Sequence, residues 1–360
     1  MQNGKSGSKF LKKKKLFWKN KKVVITGCTG FKGSWLSFIL KRYGAKIYGI
    51  ALKPQNEYDI FTKSNLLKEI KFYECDINDS KKLKTLFKKI KPDITFHLAA
   101  QSLVLVGYQK KEETYKTNII GSSNVIEACR NLKKKTTLLI TTTDKVYKNY
   151  NKKKYFKEND IIGGNDPYSV SKAALEVLCD YYLDLSNKDK FFSLSVARSG
   201  NVIGGGDWSA NRLFPDIINA LKKNKEIVVR SPNSTRPWQH VLDPLYGYLN
   251  LVEKNFKNKK YCKAYNFGPK NNSSEKVINI LNLIKNKIPN LKIIIKKNKL
   301  YESKTLGLNS NMSKKELSYR QVWNLKESVE KTLNWYYSFL KKNSVDNLCL
   351  EDIKNFEDNY

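Results

Sequence analysis

The sequence predicts an α/β fold, in which a doubly wound parallel sheet is joined to a smaller, irregular α/β lobe. Three observations predict this architecture. A glycine-rich turn separates an apolar strand from a helix near the start of the chain, strands and helices then alternate, and the alternation ends near Gly200. With 360 residues, of which 40% are apolar, the chain can bury a large core.

The first βαβ unit contains the glycine-rich turn. An apolar strand at residues 23–26 leads into Gly27, Gly30 and Gly33, and an amphipathic helix over residues 34–40 precedes a second strand at 47–52. A helix N-terminus after such a turn can hold a pyrophosphate, as in the Rossmann fold. The glycines could simply close a tight turn, since their spacing is three and three rather than two and three. The strand before and the helix after favour a dinucleotide site.

The following elements continue the alternation. Strands are predicted over residues 71–77, 93–100, 138–143 and 192–198, and helices over residues 80–91, 117–132 and 168–185. Right-handed crossovers bring the carboxyl ends of parallel strands to one edge of the sheet. We therefore expect Gly27, Ala100, Thr143 and Ser199 to meet at a ligand crevice.

We expect four parts along the chain. They are a basic, flexible leader (1–20), a Rossmann-type domain (21–200, with 241–265 returning to it), a smaller lobe (201–240 and 266–340) and a loosely attached polar tail (341–360). The lobe begins with a flexible loop at 204–208 and an extended, aromatic-rich segment at 236–241, and a helix over 243–255 is predicted to return to the sheet.

The formal net charge is +35, and only seven of the 68 basic residues are arginine. Basic excess is found in proteins that bind nucleic acids or anionic membranes, but lysines spread along a whole chain indicate compositional drift. The basic cluster at residues 9–22 has eight lysines and no acid. We interpret it as part of a solvated leader, with a weak polyanion contact as the alternative.

Composition also indicates the cellular compartment in which the protein is expected. No apolar run is as long as a membrane span, and the lysine-rich N-terminus lacks the apolar core of a signal peptide. We expect a cytoplasmic protein with no membrane partner and no specific nucleic-acid partner. Six scattered cysteines without a C-x-x-C pair, together with two histidines, argue against a metal site and against a disulfide scaffold.

The strongest indication of chemistry is a tyrosine and a lysine one helical turn apart. Tyr168 and Lys172 share a helix face, where the ammonium is expected to lower the pKa of the phenol and make it a usable base. Thr143 closes the preceding strand, so its hydroxyl is expected at the same sheet edge. The pair is common by chance in a chain rich in both residues, and the glycine-rich turn upstream gives it weight.

Four of the seven arginines fall within 39 positions: Arg198, Arg212, Arg230 and Arg236. In a chain that otherwise uses lysine, this clustering indicates places that need a planar, bidentate donor, as for a phosphate. The alternative is a few buried or stacked arginines. We interpret His97 and His240 as packed structural rings and Arg198 as an element of the fold.

Together these motifs resemble one family. The chain is similar to the extended short-chain dehydrogenase/reductases, and within them it resembles the CDP-glucose 4,6-dehydratases over residues 21–337. The resemblance rests on residues 27–36, 97–101, 143–145, 166–172, 200–208, 212–216, 236–240 and 266–269. The Phe-Lys-Gly-Ser-Trp turn, the Asp-Lys pair and the Arg-Pro-Trp-Gln-His run distinguish this family from its relatives.

The resemblance implies NAD as the cofactor, held by the first βαβ unit. The expected contacts are Gly27, Thr29, Gly30, Phe31, Lys32 and Gly33 around the pyrophosphate, Asp76 and Ile77 near the adenine, and Leu98, Ala99, Ala100, Tyr168 and Lys172 along the cofactor. The second strand departs from the usual pattern, because it ends in Leu52 and Lys53 without the acid that often holds the adenosine ribose. Lys53 could tolerate a ribose phosphate, so the preference for NAD over NADP rests on the resemblance.

The implied reaction converts CDP-glucose to CDP-4-keto-6-deoxyglucose. Tyr168 would remove the proton of the 4-hydroxyl, which Thr143 orients, while hydride passes to NAD. Asp144 would then act as general acid on the leaving 6-hydroxyl. The base at carbon 5 stays open between Lys145 and a water that it holds, because Lys145 stands where dTDP-glucose relatives have a glutamate.

Arg212 and Arg236 are expected to bind the diphosphate of the nucleotide sugar, and Asn201 is expected near the sugar. Arg230 is an alternative to one of these arginines. The resemblance also implies a homodimer or a higher homo-oligomer. Base recognition lies in the irregular lobe, so the residues alone do not fix the nucleotide.

Other functions stay open at this point. A dehydratase of dTDP-glucose or GDP-mannose, or a 4-epimerase, would keep Tyr168 and Lys172, although Asp144 argues against simple epimerisation. A non-catalytic dinucleotide-binding regulator would be expected to lose that pair. A role in nucleic-acid binding rests on charge alone.

Overall fold

The computed structural model describes residues 3–54, 56–152, 154–296, 301 and 303–360. Its strands are β1 (Lys22–Thr26), β2 (Lys46–Ala51), β3 (Lys71–Glu74), β4 (Ile94–His97), β5 (Thr136–Thr141), β6 (Phe192–Ser199), β7 (Val202–Ile203), β8 (Ile227–Val229), β9 (Thr235–Arg236), β10 (Gln239–His240), β11 (Ala264–Phe267), β12 (Glu275–Lys276) and β13 (Ile293–Ile295). Seven of the described strands form one parallel sheet in the order β11-β6-β5-β4-β1-β2-β3. The predicted fold class is confirmed.

The helices are α1 (Asn3–Trp18), α2 (Phe31–Arg42), α3 (Ile60–Lys63), α4 (Leu66–Glu69), α5 (Ser80–Ile90), α6 (Val104–Gln109), α7 (Lys111–Tyr115), α8 (Ser122–Arg130), α9 (Pro167–Lys188), α10 (Leu213–Lys222), α11 (Leu242–Lys257), α12 (Val277–Lys287), α13 (Asn311–Leu317), α14 (Leu325–Leu340) and α15 (Val345–Asp358). Among the described helices, none has the length and apolar character needed to cross a membrane.

Helices cover both faces of the sheet, which is why β5 and β6 are buried along their whole length. Successive residues of β1 point to opposite faces. Val23 and Ile25 pack in the core formed with α2, α11 and α15, whereas Val24 packs in the core formed with α5, α8 and α9. From β1 the chain first adds β2 and β3 on one side of the sheet and then adds β4, β5 and β6 on the other side. This reversal opens a crevice at the carboxyl ends of the neighbouring strands β1 and β4.

The smaller lobe is built from short strands. β8 pairs with β13 in parallel, β9 pairs with β12 antiparallel, and β7 pairs with β10 in parallel. α11 returns to the sheet, as predicted for residues 243–255, and packs against β5 and β6. β11 extends the sheet to Phe267, two residues beyond the expected end of the returning segment at 265. The other domain boundaries stay predictions.

Four strands are shorter than predicted at their carboxyl ends. The strand predicted over 71–77 ends at Glu74, and the strand predicted over 93–100 ends at His97. The strand predicted over 138–143 ends at Thr141, and the strand predicted over 47–52 ends at Ala51. The residues that follow leave the sheet and line the crevice. The helix predicted over 117–132 starts earlier, as α7, and reaches α8 through a π-helical turn at Lys116–Gly121.

Residues 3–18 of the leader predicted to be flexible instead form the helix α1, which packs on α15 and on α11, and residues 1 and 2 lie outside the described residues. Trp18 is fully buried, and its Nε1 donates to Glu253 Oε1 at 2.6 Å. Lys14 is also buried, and its Nζ pairs with the same carboxylate at 2.7 Å. The abundant lysines conceal this packing in the sequence, although only Lys12, Lys13 and Lys15 among the described lysine side chains of this helix are exposed.

The polar tail is likewise not loosely attached. Within α15, Val345, Cys349, Ile353 and Phe356 are buried at helical spacing. Glu357 lies nearly buried at the end of the helix and pairs with Arg42 Nε at 2.9 Å. Glu351 and Lys354, which contribute to the polar appearance of the segment, are exposed, whereas Asp352 is buried like Glu357.

Candidate active site

A cavity of about 1160 Å³ lies along the carboxyl edge of the sheet, between the sheet and the smaller lobe. This volume is above the ~300–1,000 Å³ of common small-molecule sites. The structure brings every residue of the predicted site to its wall: Gly27, Thr29, Gly30, Phe31, Lys32, Gly33, Asp76, Ile77, Leu98, Ala99, Ala100, Thr143, Asp144, Lys145, Tyr168, Lys172, Asn201, Arg212 and Arg236.

The glycine-rich turn forms one end of the cavity and needs its glycines. Gly27 has φ +72°, and a Cβ there would lie 2.7 Å from the backbone nitrogen of Ala99. A Cβ at Gly33 would lie 2.2 Å from the carbonyl oxygen of Gly27. The glycines therefore let the turn pack closely on neighbouring backbone, the start of α2 lines the cavity, and the first turn of α2 contains no acid. This end fits a pyrophosphate.

Lys32 extends from this turn to the end of β6. Its Nζ donates to Ser199 Oγ at 2.8 Å and to the hydroxyl of Tyr248 at 3.4 Å. Burial, followed by the charge of Arg212, lowers the pKa of Lys32 to about 7. Lys32 Nζ therefore lies at the end of β6, away from the glycine-rich turn. The expected contact of Lys32 with a pyrophosphate stays a prediction.

The start of α9 fixes Tyr168 and Lys172. Asp166 caps the helix by accepting from the backbone nitrogen of Ser169 at 2.9 Å, while Ser169 Oγ accepts from the backbone nitrogen of Asp166 at 3.0 Å. Pro167 occupies the first turn. Tyr168 and Lys172 are both buried on the inner face of the helix, as their four-residue spacing predicts.

The electrostatics of this pair differ from the prediction. Burial raises the pKa of Tyr168 to about 12, although a hydrogen bond with Thr143 and the charge of Arg212 act in the opposite direction. Lys172 Nζ donates to the carbonyl of Thr141 at 3.2 Å, and burial lowers the pKa of Lys172 to about 8. The pKa of the phenol is therefore raised and not lowered as expected, because desolvation outweighs the opposing contributions of Thr143 and Arg212.

Asp144 lies next to Thr143, just after β5. Its Oδ1 accepts from Thr143 Oγ1 at 2.9 Å, and its Oδ2 is buried with no hydrogen-bond partner in the described part of the chain. Burial raises the pKa of Asp144, against the opposing charges of Lys145 and Arg236. A Cβ on Gly200 would lie 3.0 Å from Oδ2, so the glycine leaves room for this carboxylate at the cavity wall. A carboxyl in this environment is suited to hold a proton and donate it.

Three arginines line the part of the cavity that faces the smaller lobe. Arg212 pairs with Asp207 at 2.9 Å, and its second nitrogen donates to Ser102 Oγ at 3.3 Å. Arg236 is buried, and its Nη1 donates to two backbone carbonyls at 2.8 Å. Arg230 Nη2 donates to an asparagine side chain at 3.0 Å. These planar donors converge on one cavity, which is the arrangement a diphosphate needs.

Comparisons with known proteins agree with this geometry. The family model of GDP-mannose 4,6 dehydratase matches residues 24–332. The chain belongs to this family. CDP-glucose 4,6-dehydratase from Salmonella typhimurium (strain LT2) is 33% identical over 344 residues, which cover 91% of this chain and 93% of that protein. The resemblance inferred from the motifs is therefore confirmed.

Solved structures of related fold cover most of the chain. An epimerase from Methanothermobacter thermautotrophicus has a TM-score of 0.80 at 22% identity, over 92% of this chain and 96% of its own. A dTDP-glucose 4,6-dehydratase from Bacillus anthracis, solved in complex with NAD, has a TM-score of 0.70 at 20% identity, over 88% of this chain and 96% of its own. These likenesses support the Rossmann-type fold of the family.

Sequence reasoning missed a buried hydrogen-bond network next to Tyr168 and Lys172. Glu176 lies on the same face of α9 as Lys172 and accepts from Arg198 Nε at 2.9 Å and Nη2 at 2.6 Å. It also accepts a hydrogen bond from Thr142, and Arg198 donates to the hydroxyl of Tyr147 at 2.8 Å. The four-residue spacing from Lys172 to Glu176 was a signal that could have found it. Arg198 is an element of the fold, as predicted.

Both histidines are packed rings, also as predicted. His97 is buried, and its ring nitrogens lie 2.7 Å from Thr26 Oγ1 and 2.8 Å from Ser122 Oγ. Burial lowers the pKa of His240 to about 3, and its neighbours are the rings of Trp35 and Trp323. Neither histidine lines the cavity.

Proposed function

We propose that the chain is an NAD-dependent CDP-glucose 4,6-dehydratase that forms CDP-4-keto-6-deoxyglucose. The observation that supports this most is Asp144, a buried carboxyl with a raised pKa beside Thr143 on the wall that also holds Tyr168 and Lys172. A 4-epimerase needs the tyrosine and lysine but has no use for a general acid at carbon 6. The name of the Salmonella relative supports CDP-glucose as the substrate.

NAD fits the residues at the glycine-rich end of the cavity. The amide groups at the start of α2 would hold its pyrophosphate, Asp76 and Ile77 would flank the adenine, and residues 98–100 would line the rest of the cofactor. When bound, NAD supplies the hydride acceptor and a positive charge that favours a phenolate at Tyr168.

In the first step, Tyr168 takes the proton of the 4-hydroxyl while hydride leaves carbon 4, so that carbon 4 becomes a ketone. Thr143 orients the hydroxyl, because its side chain forms a hydrogen bond with Tyr168 as well as with Asp144. Lys172 Nζ donates to the carbonyl of Thr141, and burial lowers the pKa of Lys172 to about 8, so this side chain is partly neutral near that pH.

In the second step, the new ketone acidifies the proton on carbon 5, and a base removes it. Asp144 donates its proton to the 6-hydroxyl, which leaves as water. Hydride then returns to carbon 6 and a proton to carbon 5, so there is no net oxidation. The base is Lys145 or a water that it holds. Lys145 lines the cavity next to Asp144, and its charge is the largest one that opposes the raised pKa of that carboxyl.

The nucleotide sugar would bind between the Rossmann-type domain and the smaller lobe. Arg212 and Arg236 would bind its diphosphate, with Asn201 near the hexose and Arg230 as the alternative for one arginine. Arg212 reaches the cavity from a pair with Asp207, so binding a diphosphate there exchanges one anionic partner for another.

The protein would act as a homodimer or a higher homo-oligomer. α9 exposes Val177 and Tyr181 by 64% and 61%, and the neighbouring π-helical turn exposes Ile120 by 55%. Apolar side chains grouped in this way on one face favour a second copy as the partner. Sedimentation of the wild type and of Val177→Lys tests this, since a monomeric wild type would contradict it.

A cytoplasmic location is supported by the cysteines and by the diffusible substrates. All six cysteines are buried, free thiols, as is usual in a reducing compartment. Fractionation of the source cells tests the location.

The reaction is tested with CDP-glucose that has deuterium at carbon 4 and with no added NADH. A dehydratase of the proposed mechanism yields a 4-keto-6-deoxy product with the deuterium on carbon 6, because the hydride that leaves carbon 4 is the one that returns to carbon 6. Return of the deuterium to carbon 4, with inversion there, would identify an epimerase instead. Arg212→Lys and Arg236→Lys should each raise KM, as expected when a bidentate donor to the diphosphate is replaced by a point charge.

A further inference from the structure

The predicted adenosine end of the cavity has a lysine where many NAD-binding sites have an acid. β2 ends at Ala51, and Ala51 and Leu52 are the last residues of this strand region to line the cavity. In NAD-binding Rossmann sites, a carboxylate near the end of this strand commonly accepts hydrogen bonds from the ribose hydroxyls. Here the next residue is Lys53, so a cation stands at the rim where an anion is expected.

We propose that this cavity accepts a dinucleotide with a phosphate on the adenosine ribose, so that the protein binds NADP as well as NAD, and that Lys53 determines this tolerance. The inference rests on the cofactor site proposed above and concerns only its selectivity. Its ligand is recognised by one chemical feature, a phosphate monoester with a charge of about −1.5 to −2 at neutral pH.

Lys53 is positioned next to the glycine-rich turn. The hydroxyl of Thr29, within the turn, donates to the carbonyl of Leu52 at 3.2 Å. This bond ties the residue before Lys53 to the segment that would hold the pyrophosphate. A ligand with its pyrophosphate at the turn therefore extends its ribose toward the end of β2, where the lysine is attached.

The present partner of Lys53 does not hold it strongly. Its Nζ lies 3.4 Å from Glu74 Oε2, and the two side chains are 75% and 51% exposed. An exposed pair of this kind contributes little, because water screens both charges and two long side chains must be ordered. Lys53 can leave Glu74 for a phosphate without a large loss.

No other carboxylate takes over the missing contact at this end. Among the described lining residues from the turn, β2 and β3, Asp76 is the one acid. Its Oδ1 already accepts from the backbone nitrogen of Asn78 at 2.8 Å and from the side-chain nitrogen of Asn78 at 3.0 Å. Asp76 is thus engaged in the turn that leads to α5. A 2′-phosphate on the adenosine ribose would therefore meet the ammonium of Lys53.

The test is a calorimetric titration of the full chain with NAD and, separately, with NADP, in the absence of sugar nucleotide. We expect the wild-type dissociation constants to differ by less than about tenfold, the effect of one ordinary hydrogen bond. Lys53→Asp should weaken NADP binding roughly 10- to 100-fold and leave NAD binding unchanged or tighter. Lys53→Arg should keep the wild-type ratio.

Two controls separate this effect from a general loss of charge or of structure. Lys188→Ala removes an exposed lysine near the far end of α9 and should change neither constant. Lys53→Ala should weaken NADP alone, and raised salt should weaken NADP more than NAD. A wild type that prefers NAD by more than about 100-fold, or an unchanged NADP affinity in Lys53→Ala, overturns the inference. If neither dinucleotide binds the wild type, the cofactor assignment itself fails.

Discussion

Asp144→Asn is the substitution that separates the two halves of the proposed reaction. Asparagine has nearly the same shape and can still accept the hydrogen bond that Thr143 donates at 2.9 Å. Oδ2 has no hydrogen-bond partner among the described residues, so the new amide loses none there. The free energy of unfolding should therefore change by less than about 1 kcal/mol. The variant loses only the proton that Asp144 would give to the leaving 6-hydroxyl.

The expected kinetic loss follows from that proton. A positioned general acid contributes about 10²- to 10⁴-fold, or roughly 3–5 kcal/mol of activation free energy. Turnover of CDP-glucose by Asp144→Asn should fall by this factor, while oxidation at carbon 4 continues. Reduced nicotinamide should then accumulate toward one equivalent per site, which its absorbance measures directly. Unchanged turnover, or lost turnover without reduced cofactor, would refute the assignment of Asp144.

The pH dependence of kcat gives the same residue a second test. Burial raises the pKa of Asp144, so the proton is present below that raised pKa and is lost as the pH rises through it. Wild-type turnover should fall on the basic side for this reason. In Asp144→Asn the remaining turnover should lack this limb, whereas a basic limb unchanged in position and depth would assign it to another group.

Three further substitutions test the rest of the structure. Tyr168→Phe should reduce turnover by at least about 100-fold and, unlike Asp144→Asn, should give no reduced cofactor on mixing with substrate. Glu176→Gln should lower the free energy of unfolding in urea by about 3–5 kcal/mol, because it leaves the buried Arg198 without its carboxylate, and a loss below about 1 kcal/mol would contradict that pairing. Trp18→Ala should cost about 3–5 kcal/mol, since a fully buried ring and its bond to Glu253 are lost, whereas a flexible leader would show almost no change.

Local signals were sufficient to predict the sheet and the wall of the cavity. The glycine-rich turn and the pair Tyr168 and Lys172 each depend on a few neighbouring residues. Parallel topology then brings their strand and helix ends to one edge. The whole predicted set lines one cavity for this reason.

The errors arose where long-range packing decides. α1 looked like a solvated leader, because its lysines outnumber the apolar residues that it packs on α11 and α15. The pKa of Tyr168 depends on how much water the assembled cavity excludes, which spacing along a helix does not report. Asp207, the partner of Arg212, comes from a glycine-rich loop whose path no periodicity predicts.

The most direct test of the proposed activity is turnover of the purified, full-length protein with CDP-glucose, dTDP-glucose and GDP-mannose, each with NAD and without added NADH. The account predicts a 4-keto-6-deoxy product from CDP-glucose and far less from the other two nucleotide sugars. No product from any of the three, while NAD binds, would contradict the proposed dehydratase and leave only the fold and the cofactor site.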